Sequence, residues 1–582
     1  WEQLRDRPYL LCCCKGITLN MIDMAMKKAG QFDPYQADRI RSGVMEGMSQ
    51  NEQMGHNYAG KDDLVNLAMK GLMDRTAEHT RMKGCILWTI NRLCQENVLI
   101  YEYGVLYRRK LYVAEKYIAE KLIAMKMAPV KHLRTAGEIS VAVQKAEISC
   151  GIKLSEAQRN GVMKALGQNI CIITGGPGRG KTTLLKVLLK SERNLRPANR
   201  IVLGAPTGRA ARRMTENAGE EASTLHHLLE IFDEEEETGD LQIAADVVIV
   251  DETSMVSTRL MYLLVSAISD DCRLILIGDK NQLPSVKAGN VFADLIASGI
   301  FTTVTLDKNF RQAEGSSIPM NGDRINGNHM PLLLDQSTQL ICTYGEKDSL
   351  SFLTGAVKDL VENRGIPDRD IQILTPFRKR TELGADRLNI HLQAVFNPPA
   401  PEKLELKSGA EIFREGDRVI HLKNEEDVSN GDMGYITAID TAGKKILVTF
   451  ETGVKKEYER TDLKHLEHAY ALTIHKAQGS EYPYVLLPFV GLFGQMRNRP
   501  LLYTALTRAR KCIKIIGNEQ SLAYAAGNAG ETRNSFLAYR IVSLAQEDDS
   551  CVQLGLDLES QAGQVKVQGR KKNWKPTNTV LC

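Results

Sequence analysis

Nowhere in the 582 residues is there an apolar run of 18 or more, the length a bilayer-spanning helix needs, so no membrane-spanning segment and no membrane partner are expected. The 12 cysteines never form a C-x-x-C pair: Cys12, Cys13 and Cys14 are adjacent and the others scattered. That distribution argues against a zinc ribbon or a disulfide framework and for reduced, buried thiols in a cytoplasmic protein. Charge of one sign is also missing. With 75 Lys and Arg against 71 Asp and Glu, a net +4, any nucleic-acid surface has to be a local patch. The 46 Gly and 18 Pro are too few and too scattered for a collagen-like or low-complexity chain. Trp1 opens the sequence without an initiator Met or a secretory leader, so the true start is expected to lie upstream. What remains, 43% hydrophobic and 25% charged, is the composition of a soluble globular protein, long enough for about three or four domains.

Apolar spacing of three and four between residues 17 and about 122, as in Leu64, Leu67, Met69 and Leu72, predicts a mostly α N-terminal region. Within it, residues 90–107 read as a helix followed by alternating strand residues and a glycine turn, the pattern of a helix with a β-wing. Four short β-branched runs, 170–174, 200–205, 247–251 and 273–278, then alternate with helical patterns, as buried parallel strands of an α/β domain do. A second α/β region starts at 371–376 and resumes at 469. Between 413 and 463, short strands and turn signals such as Asn430-Gly431-Asp432 predict a small β-barrel insert. The acidic run 233–237 reads as a solvated loop, and the polar stretch beyond 547, with Arg570, Lys571, Lys572 and Lys575, as a disordered basic tail.

Chemistry enters at Gly175-Gly176-Pro177-Gly178-Arg179-Gly180-Lys181-Thr182-Thr183, which fits G-x-x-x-x-G-K-[ST] between an apolar strand and a helical run. Glycines permit a tight loop whose backbone N–H groups converge on phosphate at a helix N-terminus. Lys181 then neutralises the β and γ phosphates of ATP, and the Thr182 hydroxyl ligates Mg²⁺. The run Val247-Val248-Ile249-Val250 ends in Asp251-Glu252: Asp251 is expected to hold Mg²⁺ through water, and Glu252 to orient and deprotonate the attacking water. A third strand leads to Gln282, a polar group placed to meet the γ-phosphate, and Arg311 and Arg508 are each suited to stabilising charge on the transferring phosphate.

Taken in order, LSEAQRNGV around Gln158, the phosphate loop, APTGRAARRM from Ala205, VVIVDETSM, GDKNQLPSV, KNFRQ, ILTPFRK, NGDMG, LTIHKAQGSEY from Leu472 and YTALTRARK from Tyr503 resemble the motifs of the RecD/TraA-like superfamily-one DNA helicases. The resemblance spans about residues 154–511 and reaches into the N-terminal region through QADRIRSGV and GHNYAGKDDLV. It implies an α/β fold of two RecA-like motor domains, at 140–364 and at 365–412 with 469–545, and an SH3-like β-barrel insert at 413–466. A helix-hairpin-helix-like region at 1–60 and a winged-helix-like region at 61–128 would precede them, and a tail at 546–582 would follow. The implied activity is ATP- and Mg²⁺-dependent movement along single-stranded DNA, 5′ to 3′, with duplex unwinding in repair or recombination, by a monomer acting at single-strand and junction DNA. Residue by residue, the resemblance gives Gln158 to adenine, Gly178, Gly180, Lys181 and Thr182 to phosphate and metal, and Asp251 and Glu252 to hydrolysis. Gln282, Arg311 and Arg508 go to the γ-phosphate, and Thr207, Arg209, Thr473, His475, Lys476 and Gln478 to the DNA strand, where hydroxyls and cations hold backbone without reading sequence.

The sequence departs from that pattern in places. Arg179 stands where the family has Thr or Ser, and a cation there is expected to contact or crowd phosphate and slow hydrolysis. Pro319 and Gly322 fall inside an expected helix at 317–331, where proline removes a hydrogen bond. The span from 226 to 246 is short, so a strand-separating hairpin there is expected to be small. No Asp/Glu/Lys cluster outside the ATP site suggests a nuclease. The alternatives are an ATP-binding DNA scaffold with weak hydrolysis, and a fragment of a conjugative relaxase-helicase.

Overall fold

The computed structural model describes residues 7–14, 16–129, 134–236, 239, 241–310, 316–333, 335–409, 411–425 and 427–547; Arg311 and the basic tail beyond 547 lie outside the described residues. The N-terminal region packs the helices Leu19–Lys28, Ala37–Gln53, Lys61–Leu72 and His79–Gln95. Their apolar stripes meet in one core, where Leu64, Ala68 and Leu72 bury against Val44, Met48, Ile86 and Ile90. Strands β1 (Tyr58–Gly60), β2 (Leu99–Glu102) and β3 (Val105–Arg108) form an antiparallel sheet with β3 central. The β2–β3 wing turns through Tyr103 and Gly104, both at positive φ. The helix Arg109–Met127 then carries Ile118, Ala119 and Leu122 into the core of the next domain.

That domain is built on β4 (Ile170–Gly175), β5 (Ile201–Ala205), β6 (Ala222–Thr224), β7 (Val247–Val250), β8 (Arg273–Gly278) and β9 (Thr302–Leu306), all parallel, in the order β6-β5-β7-β8-β4-β9. The four sequence runs are four of these strands. The edge strands β6 and β9 escaped that reading because they are short and incompletely buried, and so lack a continuous apolar signature. Since β7, β8 and β4 are neighbours and parallel, the loops that follow them lie side by side at one edge of the sheet.

The second parallel sheet runs in the order Thr338–Cys342, Ala509–Gly517, Tyr482–Phe489, Ile371–Thr375, Ala471–Thr473, so 338–342 and the helix Ile318–Asn326, expected in the first domain at 140–364, belong to the second: the edge strand and helix precede the boundary that the apolar run at 371 suggested. Between its last two strands the chain leaves to form the hairpin Glu405–Ser408 with Glu411–Arg414 and a five-stranded antiparallel sheet from Arg418–His421 to Leu466–His468. This insert closes on its own core of Phe413, Ile436, Val448, Phe450 and Leu466. The architecture is thus α/β, with two parallel sheets and a small antiparallel β insert in the second. After Asn528 the chain returns to the N-terminal region. Leu537 and Ile541, expected in the second domain at 469–545, bury in the core around the first sheet, and buried Glu115 accepts hydrogen bonds from Asn57, Tyr107, Ser535, the Phe536 N–H and Arg540.

Three local expectations are corrected. The acidic run is an exposed loop at Asp233, Glu235 and Glu236 but not at Glu234, which is buried with its carboxylate accepting from the Ser257 hydroxyl at 2.5 Å; Asp233 pairs with Lys287 and Glu235 with Lys110, and Glu237 lies outside the described residues. Two neighbouring cations, Lys287 and Lys110, offset what would otherwise be mutual repulsion, which charge counting along the sequence cannot see. Pro319 does not break a helix, because the helix is Ile318–Asn326 and proline sits in its first turn, where an N–H has no intrahelical partner anyway. Among the described residues of 226–246 no strand forms.

Candidate active site at the cleft between the sheets

The loops after β4, β7 and β8 converge on a cavity of about 260 Å³ whose far wall comes from the second motor. It is lined by Gly176 to Thr183, Asp251, Glu252 and Gln282 from the first motor, and by Gly479, Glu481 and Arg508 from the second. Gly178 and Gly180 hold φ of 73° and 75°, the left-handed region that favours glycine. At Gly180 a Cβ would also lie 2.2 Å from the Gln158 amide nitrogen. Gly180 N-caps the helix Lys181–Leu195, so the helix N-terminus opens into the cavity. Lys181 folds over the loop, its ammonium donating to the Gly175 carbonyl at 2.5 Å.

Asp251 accepts from the Glu252 N–H at 2.8 Å. Burial and the Glu252 charge push its carboxyl up to about 6, against the opposing pull of Lys181. Glu252 itself sits in left-handed backbone, φ 52° and ψ 37°, and its Oε2 is buried with no hydrogen-bond partner among the described residues. A side chain held in a strained turn with an unspent acceptor aimed into a cavity is poised to take a proton. Gln282 is likewise buried with a free Oε1, its amide nitrogen leaning on Asp279 at 3.5 Å. Arg508, 2% exposed, is held by the carbonyls of Ser480 and Thr504 and by the Thr507 hydroxyl.

Gln158 is placed differently from the expectation. Its amide is spent on the Ser155 N–H and the Gly180 carbonyl, which makes it a brace of the phosphate loop outside the cavity lining. Arg179 does line the cavity, but its guanidinium turns to the carbonyls of Leu306 and Asp307 and to the Asp323 carboxylate.

Of the six residues expected on the DNA strand, Thr207, Arg209 and Gln478 make contacts between the two α/β domains, whereas Thr473 and Lys476 keep partners on the C-terminal side. Thr207 caps the helix Gly208–Ala218, its hydroxyl against Gly479, and Arg209 donates to Ser480 and Tyr482 and pairs with Glu451 of the insert. Thr473 accepts from the Lys476 N–H, Lys476 pairs with Glu467 at 2.6 Å, and Gln478 donates to the Leu283 carbonyl at 2.7 Å. Burial, with Arg533 nearby, holds His475 below its usual range. Sequence reading missed Arg213, which lines the cavity, donates to the Gly479 carbonyl and pairs with Glu481 at 3.3 Å. It stands four residues after Arg209 on one helix, a spacing that puts both on one face and was the available signal. Tyr503 was missed too. Buried on the second motor, its hydroxyl donates to Asp279 at 2.7 Å, and a Cβ on Gly176 would lie 2.8 Å from it.

Comparison with known proteins follows the same division. The model of the AAA domain matches residues 158–288, that of the ATP-dependent RecD-like DNA helicase SH3 domain 388–450, and that of the UvrD-like helicase C-terminal domain 468–513. The chain is 30% identical over 425 residues to the RecBCD enzyme subunit RecD of Mycobacterium tuberculosis, covering 67% of this chain and 73% of that one. It belongs to the RecD-like superfamily-one DNA helicases. The ATP-dependent RecD2 DNA helicase of Deinococcus radiodurans is 36% identical over 393 residues, 67% of this chain; the chain spans about half that relative's length, 52%. Among solved structures, a Pif1 helicase from Bacteroides, in complex with ADP-AlF3 and ssDNA, is 18% identical and superposes over 70% of this chain and 98% of that one with a TM-score of 0.40. Within this RecD-like chain no described helix is long and apolar enough to cross a membrane.

Proposed function

We propose that this RecD-like chain is an ATP-driven motor on single-stranded DNA, moving 5′ to 3′ and unwinding duplex at single-strand junctions. The observation that carries the reading is the single cavity lined by the phosphate loop, Asp251, Glu252 and Gln282 from one sheet and by Arg508 from the other. ATP seats its phosphates on the loop N–H groups and Lys181. Thr182 and Asp251 fit Mg²⁺, a hydroxyl and a carboxylate beside the buried, unpartnered Glu252 oxygen. Mg²⁺, when bound there, would offset the negative charge of the phosphates.

Glu252 takes a proton from a water that attacks the γ-phosphorus; the bond to the β-γ bridging oxygen breaks, leaving ADP and phosphate. Gln282 holds the water, and Arg508 brings positive charge from the second motor. Hydrolysis loosens that cross-cleft grip, and Thr207, Arg209, Thr473, His475, Lys476 and Gln478 exchange some of their present protein partners for strand backbone as the cleft cycles. Arg209 and Gln478, which each bond across from one motor to the other, support this alternation. The test is phosphate release with and without single-stranded DNA, for the parent and Lys181→Ala, followed by unwinding of 5′- and 3′-tailed duplexes. Strong DNA stimulation abolished by Lys181→Ala and preference for the 5′ tail are expected; DNA-independent or absent hydrolysis would return the reading to an ATP-binding scaffold.

A further inference from the structure

The phosphate loop of this chain has its own connection to the second motor. Arg179 is 16% exposed and makes three contacts, with the carbonyls of Leu306 and Asp307 at the end of β9 and with the Asp323 carboxylate. Asp323 stands on the helix Ile318–Asn326, whose Ile318 and Ile325 are buried in the second motor's core and whose Gly322 lies against Tyr503. The Arg179–Asp323 ion pair therefore crosses from the loop that holds phosphate to the domain that moves. The Tyr503 hydroxyl, which donates to Asp279, also stands beside the loop, 2.8 Å from where a Cβ on Gly176 would lie. The loop is also tied to the segment after β9 by the Phe310 N–H on the Gly178 carbonyl at 3.0 Å and by the Phe310 ring against Gly180.

We propose that Arg179 is a positioning residue that couples the phosphate loop to the second motor through Asp323, and is not a phosphate ligand. A guanidinium with five N–H donors in a fixed fork suits this work: two directions are satisfied by carbonyls that fix its plane, and the remaining edge meets the carboxylate. Threonine or serine, too short to reach Asp323, would leave the loop intact but uncoupled. Nucleotide binding that shifts the loop then pulls on the helix carrying Asp323, and through Gly322 and Tyr503 on the second motor.

This inference rests on the ATP-driven reading above, and its test separates the two. Arg179→Thr, Asp323→Asn and the double variant are compared with the parent for kcat and KM of ATP at saturating single-stranded DNA, and for binding of a fluorescent, slowly hydrolysed ATP analogue. Coupling predicts that each single variant lowers the DNA-stimulated kcat about 5- to 30-fold with ATP KM and analogue affinity within threefold, and that the double variant is no worse than either single one, because both remove one link. If Arg179→Thr weakens analogue binding tenfold or more while Asp323→Asn does not, Arg179 is a phosphate ligand and the proposal fails; it fails equally if the two kcat losses multiply. Asp323→Asn lies outside the phosphate loop and carries the test should Arg179→Thr fold poorly. A parent that hydrolyses no ATP would refute the motor reading, and the analogue-binding comparison would still decide the role of Arg179.

Discussion

Glu252→Gln isolates the proton-accepting step, because glutamine keeps the volume and the hydrogen-bonding reach of the side chain and loses only the basicity. General-base removal costs about 10²- to 10⁴-fold in rate, about 3–5 kcal/mol of barrier. The surroundings of Glu252 place the expected loss within that range: its Oε2 is buried and unpartnered, and the nearby carboxylate, Asp251, is bonded to the Glu252 N–H and is pushed up by burial and by the Glu252 charge. Removing that charge lowers the Asp251 pKa, so Asp251 is more fully ionised in the variant and nucleotide affinity is held or improved. The expected result is therefore a split: kcat for phosphate release down at least a hundredfold with analogue affinity unchanged or tighter. A loss of kcat below tenfold, or a parallel loss of binding, would show that Glu252 does not take the proton. The backbone gives an independent check, since the left-handed φ of 52° costs any L side chain. Glu252→Gly should be more stable to heat than Glu252→Ala by about 1 kcal/mol, and equal stability would mean that the turn is unstrained.

Burial pushes Asp294 up to about 7 from 3.8, with its Oδ2 unpartnered, so the folded state holds a proton that the unfolded chain releases. Stability from this group is complete below about pH 4 and is lost as pH rises through 7. Asp294→Asn should match the parent near pH 4 and exceed it by at most about 4 kcal/mol at pH 8, a divergence that melting curves across that range would show or exclude. Glu115→Ala leaves five donors without their acceptor, with Arg540 still paired to Glu102; a loss of about 3 kcal/mol is expected, together with faster hydrogen exchange across residues 533–541. Unchanged exchange there would mean that the returning segment is held by its apolar contacts alone. Gly176→Ala sets a methyl 2.8 Å from the Tyr503 hydroxyl and should lower DNA-stimulated kcat at least tenfold; Tyr503→Phe in the same chain should recover part of it, and no recovery would place the damage in the loop itself.

The phosphate loop, the acidic pair and the four central strands were legible in the sequence because each is a local signal: glycine spacing, a β-branched run, a strand end. Their convergence was legible too, since parallel neighbouring strands must deliver their loops to one edge. What stayed hidden is pairing across the chain. Arg209 reads as a cation for the DNA backbone, yet its partners Glu451 and Tyr482 lie more than 240 residues away and are visible only once the insert docks. Arg179 reads as a threat to phosphate binding until Asp323, 144 residues on, takes its charge. Glu234 reads as solvated until Ser257 and Lys287 arrive. In each case the residue type was read correctly as charged, and what the sequence did not show was its protein partner far along the chain. For Arg179 and Arg209 the source is the same: polar groups at a cleft between two domains are satisfied there by protein partners distant in the chain. Sequence patterns mark such groups as functional, and only the fold reveals which partner holds them between strokes.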